Sequence, residues 1–446
     1  MKKRNLLILH LESLSMFIYR MHPELFPFLR ELEGKTVFFP KYYSTATSTW
    51  MVISDLLYGN LHQFETCSSL NDVPKEYWSK SSLLDDLEEE GYKTNVAMYP
   101  FAYDLDGVKN RRLLGMNQEF YVWNQYGEYL KAIADSMEEE PFAICGYNFV
   151  SHINLNKYVN KYKFMAGFVK WKAYYKDLDK SIKDIFDILE NKDKLRNTTI
   201  ILYGDHGDDF WQHSLHNGLS HAVEPYDHVA HTPLFIYDER LSPAYCSELM
   251  STLSLKPVTR YLLNNQEVSL KQLVKRQVPY AFSRNLYVAQ SNRLMTFNKS
   301  YAITDGEFRL VVSKKGLEFY ETETDPECFN NLLEYFRLGK DNNLIYCKKL
   351  DNVMSWHFKD FNNAAQLRLI RIKFKAMVPE LYSRVCKIYE QAGRGKEIVN
   401  SEMSFYRIND GKGYKKFSAD NWKKLDELVD KAISWQEKIQ MRKYVN

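Results

Sequence analysis

Four short apolar runs, NLLILHL (5–11), KTNVAMY (93–99), PFAICGYNF (141–149) and NTTIILYG (197–204), are separated by longer stretches with helical spacing. Each run has the length of a strand and is apolar at nearly every position, which suits strands buried on both faces of a parallel sheet. Parallel strands need a crossover between them, so the alternation predicts an α/β fold with helices on both faces of the sheet. One crossover is legible in detail. In YYKDLDKSIKDIFDILENKDKL, Leu178, Ile182, Ile185, Phe186 and Leu189 recur at helical spacing and the charged residues fall on the other face.

Near residue 240 the pattern changes. RLMTFNKSYAITDGEFRLVVSKKGLEFYETETD reads as short antiparallel strands with turns at Asp305-Gly306 and Lys315-Gly316. From about Asn330 the chain is polar, Lys-rich and helical in pattern. The expected organisation is a core over 1–240, a smaller α+β region with an antiparallel sheet over 241–335, and a helical C-terminal extension over 336–446. No internal repeat or low-complexity linker interrupts it.

Sixty basic and 57 acidic residues leave a formal charge of +3, too small to point to nucleic acid as a partner. The six cysteines are scattered without CxxC or metal-ligand spacing, which predicts free thiols in a reducing compartment. The opening MKKRNLLILHLESLSMFIY has a basic start and an apolar run, but His10 and Glu12 interrupt it and no small-residue cleavage site follows, so it reads as a first strand. No stretch approaches the roughly 20 apolar residues of a transmembrane helix. The expected location is therefore the cytoplasm; oligomeric state is not legible.

Six of the eleven histidines fall between His206 and His231. That window opens where the run NTTIILYG ends, and in open α/β sheets ligands bind at the carboxyl ends of strands. Asp205 and His206 would leave that edge together, with Gly204 and Gly207 permitting the bend that turns both toward one cation. A carboxylate with an imidazole suits Zn²⁺ or Mn²⁺ better than Ca²⁺ or Mg²⁺. Glu12, closing the first strand, reaches the same edge. A solvated Asp-His turn and a strand emerging into water are the plain alternatives.

STATST (44–49) places five hydroxyls in six positions just before WMVISDLLYG, where Trp50, Val52, Ile53, Leu56 and Leu57 would form the buried side of a helix. A Ser or Thr at a helix N-terminus beside a divalent cation has its alkoxide stabilised by both, and becomes a nucleophile near neutral pH. Ser48 or Thr49 could equally be a plain N-cap.

These residues resemble the sulfatase and alkaline-phosphatase superfamily, most closely its phosphoethanolamine and phosphoglycerol transferases, over the first three-quarters of the chain. NLLILHLESLS is similar to the family's opening strand, which ends in an acidic metal ligand, and the resemblance gives that role to Glu12. The family's nucleophile stands ten residues before the glycine of an LLTG-like motif; counting back from Gly59 in LLYG gives Thr49. The stretch from Tyr174 to Asp209 resembles the family's helix, strand and Asp-His loop, implying that Asp205 and His206 are metal ligands. LEFYETETDPECFNNL resembles the late LYDLENDPxExxNL segment. By the same likeness, LSHAVEPY suggests His221 as a residue holding the transferred anion, NFVSHIN suggests His152 as a substrate histidine, and AHTPLFIY places His231 at the start of a strand near the site.

Two departures shape the expectation. Sulfatases convert a Cys or Ser in a CxPSR-type motif to formylglycine, and TWMVI stands there instead. They also carry paired acids after the first strand, whereas Ser13 follows Glu12. The resemblance thus implies a metal-dependent transferase with one Zn²⁺ or Mn²⁺. It would move a phosphoethanolamine- or phosphoglycerol-like group from a small or lipid-linked phosphodiester donor to a glycan or other hydroxyl acceptor through a covalent Thr49 intermediate. A hydrolase of phosphate or sulfate esters and a catalytically inactive binding protein are the alternatives.

Overall fold

The computed structural model describes residues 3–61, 81–99, 121–122, 125–152, 167–210, 213, 219–221, 223–285, 299–313, 316–338, 344–346, 364–391, 393, 395–403, 405, 407–409 and 414–416. The chain divides into two compact units. The first holds residues 1–223, 228–283 and 287–292, and the second holds 224–227, 284–286 and 293–446. Strands and helices after residue 240 therefore continue the first unit as far as residue 283.

The first unit is built on a nine-stranded sheet. Its strands are β1 (Asn5–Leu11), β2 (Val37–Tyr43), β3 (Lys93–Tyr99), β4 (Tyr121–Val122), β5 (Phe142–Asn148), β6 (Thr198–Gly204), β9 (His231–Tyr237), β10 (Ala244–Tyr245) and β11 (Met250–Ser251); the short pair β7 (Asp209–Phe210) and β8 (Leu219–Ser220) lies apart from them as an antiparallel ladder. The order is β10-β2-β9-β6-β1-β5-β3-β4, with β11 also on β2. Pairings along this path are parallel except those of β9, which runs antiparallel to β2 and β6.

All four runs read as strands are strands, and β1, β5 and β6 are buried at every position. β2 escaped the sequence reading because Pro40 interrupts VFFPKYY; its register against β9 shifts between Phe39 and Tyr42, around that proline.

The helices of the first unit include α1 (Met16–Met21), α2 (Pro27–Glu33), α3 (Thr49–Tyr58), α4 (Leu83–Glu89), α5 (Tyr126–Ser136), α6 (Gly167–Asn191) and α7 (Thr252–Asn264). On one face of the sheet, Leu7, Leu9 and Leu11 of β1 join Ile144, Ile200 and Leu202, and Leu178, Ile182, Ile185 and Leu189 of α6 close over them. The predicted helical stripe is thus the core-facing side of α6. Helix α3 is buried at all ten positions, not only along one stripe. Its polar Asp55 is matched by the Thr45 hydroxyl, which donates to Oδ2 at 2.6 Å.

In the second unit, Ser300–Thr304, Phe308–Val312 and Leu317–Glu321 form the expected antiparallel meander, with Gly306 at φ 87° in its first turn; Lys315 lies outside the described residues. The tail contains the helices Ala364–Gln391 and Lys396–Glu402, and also short strands, of which Arg407–Asn409 adds to Leu317–Glu321. Three-residue strands with partners about 90 residues away carry too little periodicity to be read from sequence. Among the described residues no helix is long and apolar enough to cross a membrane. Cys145, Cys246 and Cys386 are buried free thiols; Cys67 and Cys347 lie outside the described residues.

Gly204 and Gly207 do not act through left-handed backbone: among the described glycines with positive φ, neither appears. They are needed for space. A Cβ on Gly204 would lie 2.7 Å from the Leu14 carbonyl oxygen, and one on Gly207 would meet the His228 carbonyl. Gly204→Ala is therefore expected to destabilise the fold by about 1–3 kcal/mol, read as a lower urea midpoint at unchanged m-value.

Candidate active site

The carboxyl ends of three neighbouring strands meet at one place. Leu11 of β1 is level with Gly204 of β6 on one side and with Asn148 of β5 on the other. Glu12-Ser13, Asp205-His206 and, slightly further on, Ser151-His152 therefore leave the sheet edge side by side, as parallel topology dictates.

The chain reverses at Ser13, whose φ of 55° is unusual for a residue with a side chain and costs roughly 1–2 kcal/mol. Three hydrogen bonds hold it there. Its N–H donates to Asp205 Oδ1 (2.9 Å), its Oγ donates to Glu12 Oε1 (2.9 Å), and its carbonyl accepts from the Tyr175 hydroxyl of α6 (2.7 Å). Ser151 Oγ donates to the Glu12 carbonyl at 2.7 Å, tying β5 to the same turn.

Thr49 enters from α3. Ser48 has the extended backbone of an N-cap, but its side chain makes no cap hydrogen bond. Three other hydroxyls of STATST bond away from the carboxylates of Glu12 and Asp205: Ser44 Oγ donates to the Ala46 carbonyl (2.7 Å), Thr45 to Asp55, and Thr47 to the Val223 carbonyl (3.1 Å). Thr49 Oγ1 alone of the five points at the carboxylates, 3.0 Å from His206 Nε2 and 3.5 Å from Glu12 Oε2. His206 Nδ1 lies 3.0 Å from the Gly207 carbonyl oxygen, which only accepts. Nδ1 is therefore the donor to that carbonyl, and Nε2 faces Thr49 and Asp205.

Glu12 and Asp205, with His10, present donor atoms within 4.8 Å of one another, and Thr49 and His206 border them. Neighbouring donor atoms stand at 3.0 Å (Thr49 to His206), 3.2 Å (His206 to Asp205 Oδ2) and 3.5 Å (Thr49 to Glu12). Donors bound tetrahedrally at about 2.0–2.1 Å stand roughly 3.3–3.4 Å apart. Glu12 and Asp205 are fully buried, and Asp205 Oδ2 accepts no hydrogen bond of good geometry among the described residues. Two adjacent buried carboxylates demand positive charge.

Some of that charge comes from a residue to which sequence reading assigned no role beyond its place in the first strand. His10 Nε2 lies 3.0 Å from Glu12 Oε2 and 3.2 Å from Asp205 Oδ2. Burial opposes its protonation, but the Asp205 and Glu12 carboxylates outweigh burial and lift its pKa to about 9. Burial would raise the Asp205 carboxyl, yet the His206 and His10 rings hold it well below the usual carboxylate range. The signal was present: His10 and Glu12 are two residues apart at a strand end, where period-2 geometry puts them on one face.

Two of the three candidate substrate histidines join the cluster. The His221 ring stacks on His206 with centroids 4.7 Å apart, and His152 meets His221 edge-on at the same distance. Asp208, the other residue missed in sequence, places its Oδ1 3.0 Å from His221 Nδ1. Burial would lower the His221 pKa, but Asp208 raises it; burial, with His221 and His206 alongside, pushes His152 well below its ordinary value. His231 takes a different place. As first residue of β9 it stacks on Tyr43 at 4.4 Å, with Nε2 against the Pro40 carbonyl oxygen.

Residues 173–260, a stretch that contains Asp205, His206, His221 and His231, match the sulfatase family model. No curated protein matches the chain in sequence. Among solved structures, a 2-O GAG sulfatase is similar with a TM-score of 0.58 at 14% identity, covering 74% of this chain and 88% of its own. A protein solved with its substrate D-glucosamine-2-N,6-O-disulfate aligns with a TM-score of 0.53 at 12% identity, covering 74% and 93%. A protein in the alkaline phosphatase superfamily from Vibrio parahaemolyticus aligns with a TM-score of 0.51 at 16% identity, covering 79% and 83%. One segment of the chain thus matches the sulfatase family model, and the fold is similar to those of solved sulfatases and of a protein in the alkaline phosphatase superfamily.

Proposed function

We propose that this chain is a metal-dependent phospho-group transferase with Thr49 as nucleophile. The observation that carries the reading is the position of Thr49 Oγ1 at the first turn of a buried helix, 3.0 Å from His206 Nε2 and 3.5 Å from Glu12 Oε2. Glu12, Asp205, His206 and Thr49 would hold one Zn²⁺ or Mn²⁺, which when bound lowers the pKa of the threonine hydroxyl and offsets charge on phosphoryl oxygens. Thr49 Oγ bonds to phosphorus as the ester bond to the leaving alcohol breaks, and the threonine carries the group until an acceptor hydroxyl takes it. His221, oriented by Asp208, and the adjacent His152 supply N–H donors for the equatorial oxygens.

The donor class is a phosphodiester of phosphoethanolamine or phosphoglycerol type, and the acceptor a glycan hydroxyl, which would make the reaction a polysaccharide modification. A threonine cannot be oxidised to formylglycine, so the site lacks the nucleophile of the sulfate-ester route. Water in the acceptor position would turn the same half-reaction into hydrolysis.

With a p-nitrophenyl phosphodiester as donor, Thr49→Ala is expected to lower p-nitrophenol release by at least about 1000-fold. Chelation is expected to stop the wild type and Zn²⁺ or Mn²⁺ to restore it. Release confined to p-nitrophenyl sulfate would contradict the reading. Asp205→Asn should raise the Zn²⁺ or Mn²⁺ concentration for half-maximal release by at least about 100-fold, because it removes a buried anionic donor while leaving the nucleophile in place.

A further inference from the structure

The acids of DHGDD do not serve one site. Asp208 turns to His221 and the cluster around His206, whereas Asp209, the first residue of β7, turns to a second pair of histidines. The two adjacent carboxylates are thus delivered to separate places. Asp209 is fully buried, its Oδ2 3.4 Å from His213 Nδ1, and its Oδ1 accepts the His213 N–H at 3.3 Å. His228, 1% exposed, stacks on His213 with ring centroids 5.3 Å apart and planes within 9°. One donor atom from each of Asp209, His213 and His228 lies within 4.8 Å of the other two.

We propose that Asp209, His213 and His228 form a second, structural cation site that takes Zn²⁺. One carboxylate oxygen and two imidazole nitrogens form a borderline donor set, which suits Zn²⁺ and disfavours Mg²⁺ and Ca²⁺, whose ligands are oxygens. The Asp209 and His213 donors, 3.4 Å apart, already stand at the roughly 3.3–3.4 Å spacing of a tetrahedral site. The three residues come from both ends of the segment that follows the Asp205-His206 loop. His228 also borders that loop through the backbone: its carbonyl packs on Gly207, and the neighbouring Val229 carbonyl accepts the Gly207 N–H at 2.6 Å. A cation here would tie Asp209 and His213 to His228 and so brace the loop that holds Asp205 and His206. It contributes no donor to the Thr49 cluster, so it stands or falls separately from the proposed reaction.

The test is Zn²⁺ counting on full-length protein stripped with chelator, reloaded with Zn²⁺ and desalted. Wild type is expected to retain about two equivalents, Asp205→Asn about one, and Asp205→Asn/His213→Gln none. His213 is partly exposed, so its substitution spares the buried positions, and in His213→Gln the rise in thermal midpoint on adding Zn²⁺ should shrink. Zn anomalous diffraction from wild-type crystals gives a check that needs no variant, with a peak expected between Asp209, His213 and His228. Unchanged stoichiometry in Asp205→Asn/His213→Gln relative to Asp205→Asn, or a wild-type crystal with no peak there, would overturn the proposal.

Discussion

Glu12 and Asp205 are two carboxylates, both fully buried, delivered side by side by adjacent parallel strands in register. Taking two like charges out of water and setting them together is among the costliest arrangements a fold makes, and it persists only where positive charge and hydrogen bonds answer it. The surroundings read as those answers. The Ser13 N–H reaches Asp205, the Ser13 hydroxyl reaches Glu12, and His10 takes a proton between the two carboxylates. The backbone strain at Ser13 and the buried tyrosine that holds its carbonyl follow from the same demand. A divalent cation would meet what remains, and the spacing of Thr49 and His206 around the carboxylates is the spacing such an ion asks for.

The sheet determines why these residues meet. β6, β1 and β5 are neighbours and parallel, so all three expose carboxyl ends on one edge; Asp205, Glu12 and His152 come from positions up to 193 residues apart in the chain and arrive within one cluster. The antiparallel β9, between β6 and β2, starts at His231 and sets it against Tyr43 and Pro40 of β2, which explains why a histidine in the same sequence window takes a place in the sheet.

Much of this was visible in the residues. Continuous apolar runs identify buried strands, and their ends identify Glu12, Asp205 and His206, because a carboxylate or imidazole closing such a run must go to the sheet edge. The hydroxyl-rich turn pointed to α3, though only the structure separates Thr49 from Ser44, Thr45 and Thr47, whose hydroxyls bond elsewhere. What stayed hidden has physical causes. His10 is one polar residue inside an apolar strand unless its same-face partner Glu12 is considered; Asp208 and Asp209 look alike until the structure gives them different histidine partners. The glycines flanking Asp205-His206 were read as conformational and prove to be spatial, since the collision that forbids a Cβ comes from Leu14 and His228, neither of which is a sequence neighbour. β2 and the terminal strands are set by tertiary pairing that periodicity does not carry.

The central claim is that Thr49 carries the transferred group. It is tested most directly by mixing metal-loaded protein with a p-nitrophenyl phosphodiester in the absence of an acceptor, quenching in acid during turnover, and sequencing the peptide that contains Ser44–Asn60 by tandem mass spectrometry. The account predicts a phosphoryl ester adduct on Thr49 and on none of the neighbouring hydroxyls. Turnover with Thr49 unmodified, or an adduct on Ser48 or a histidine in its place, would contradict it.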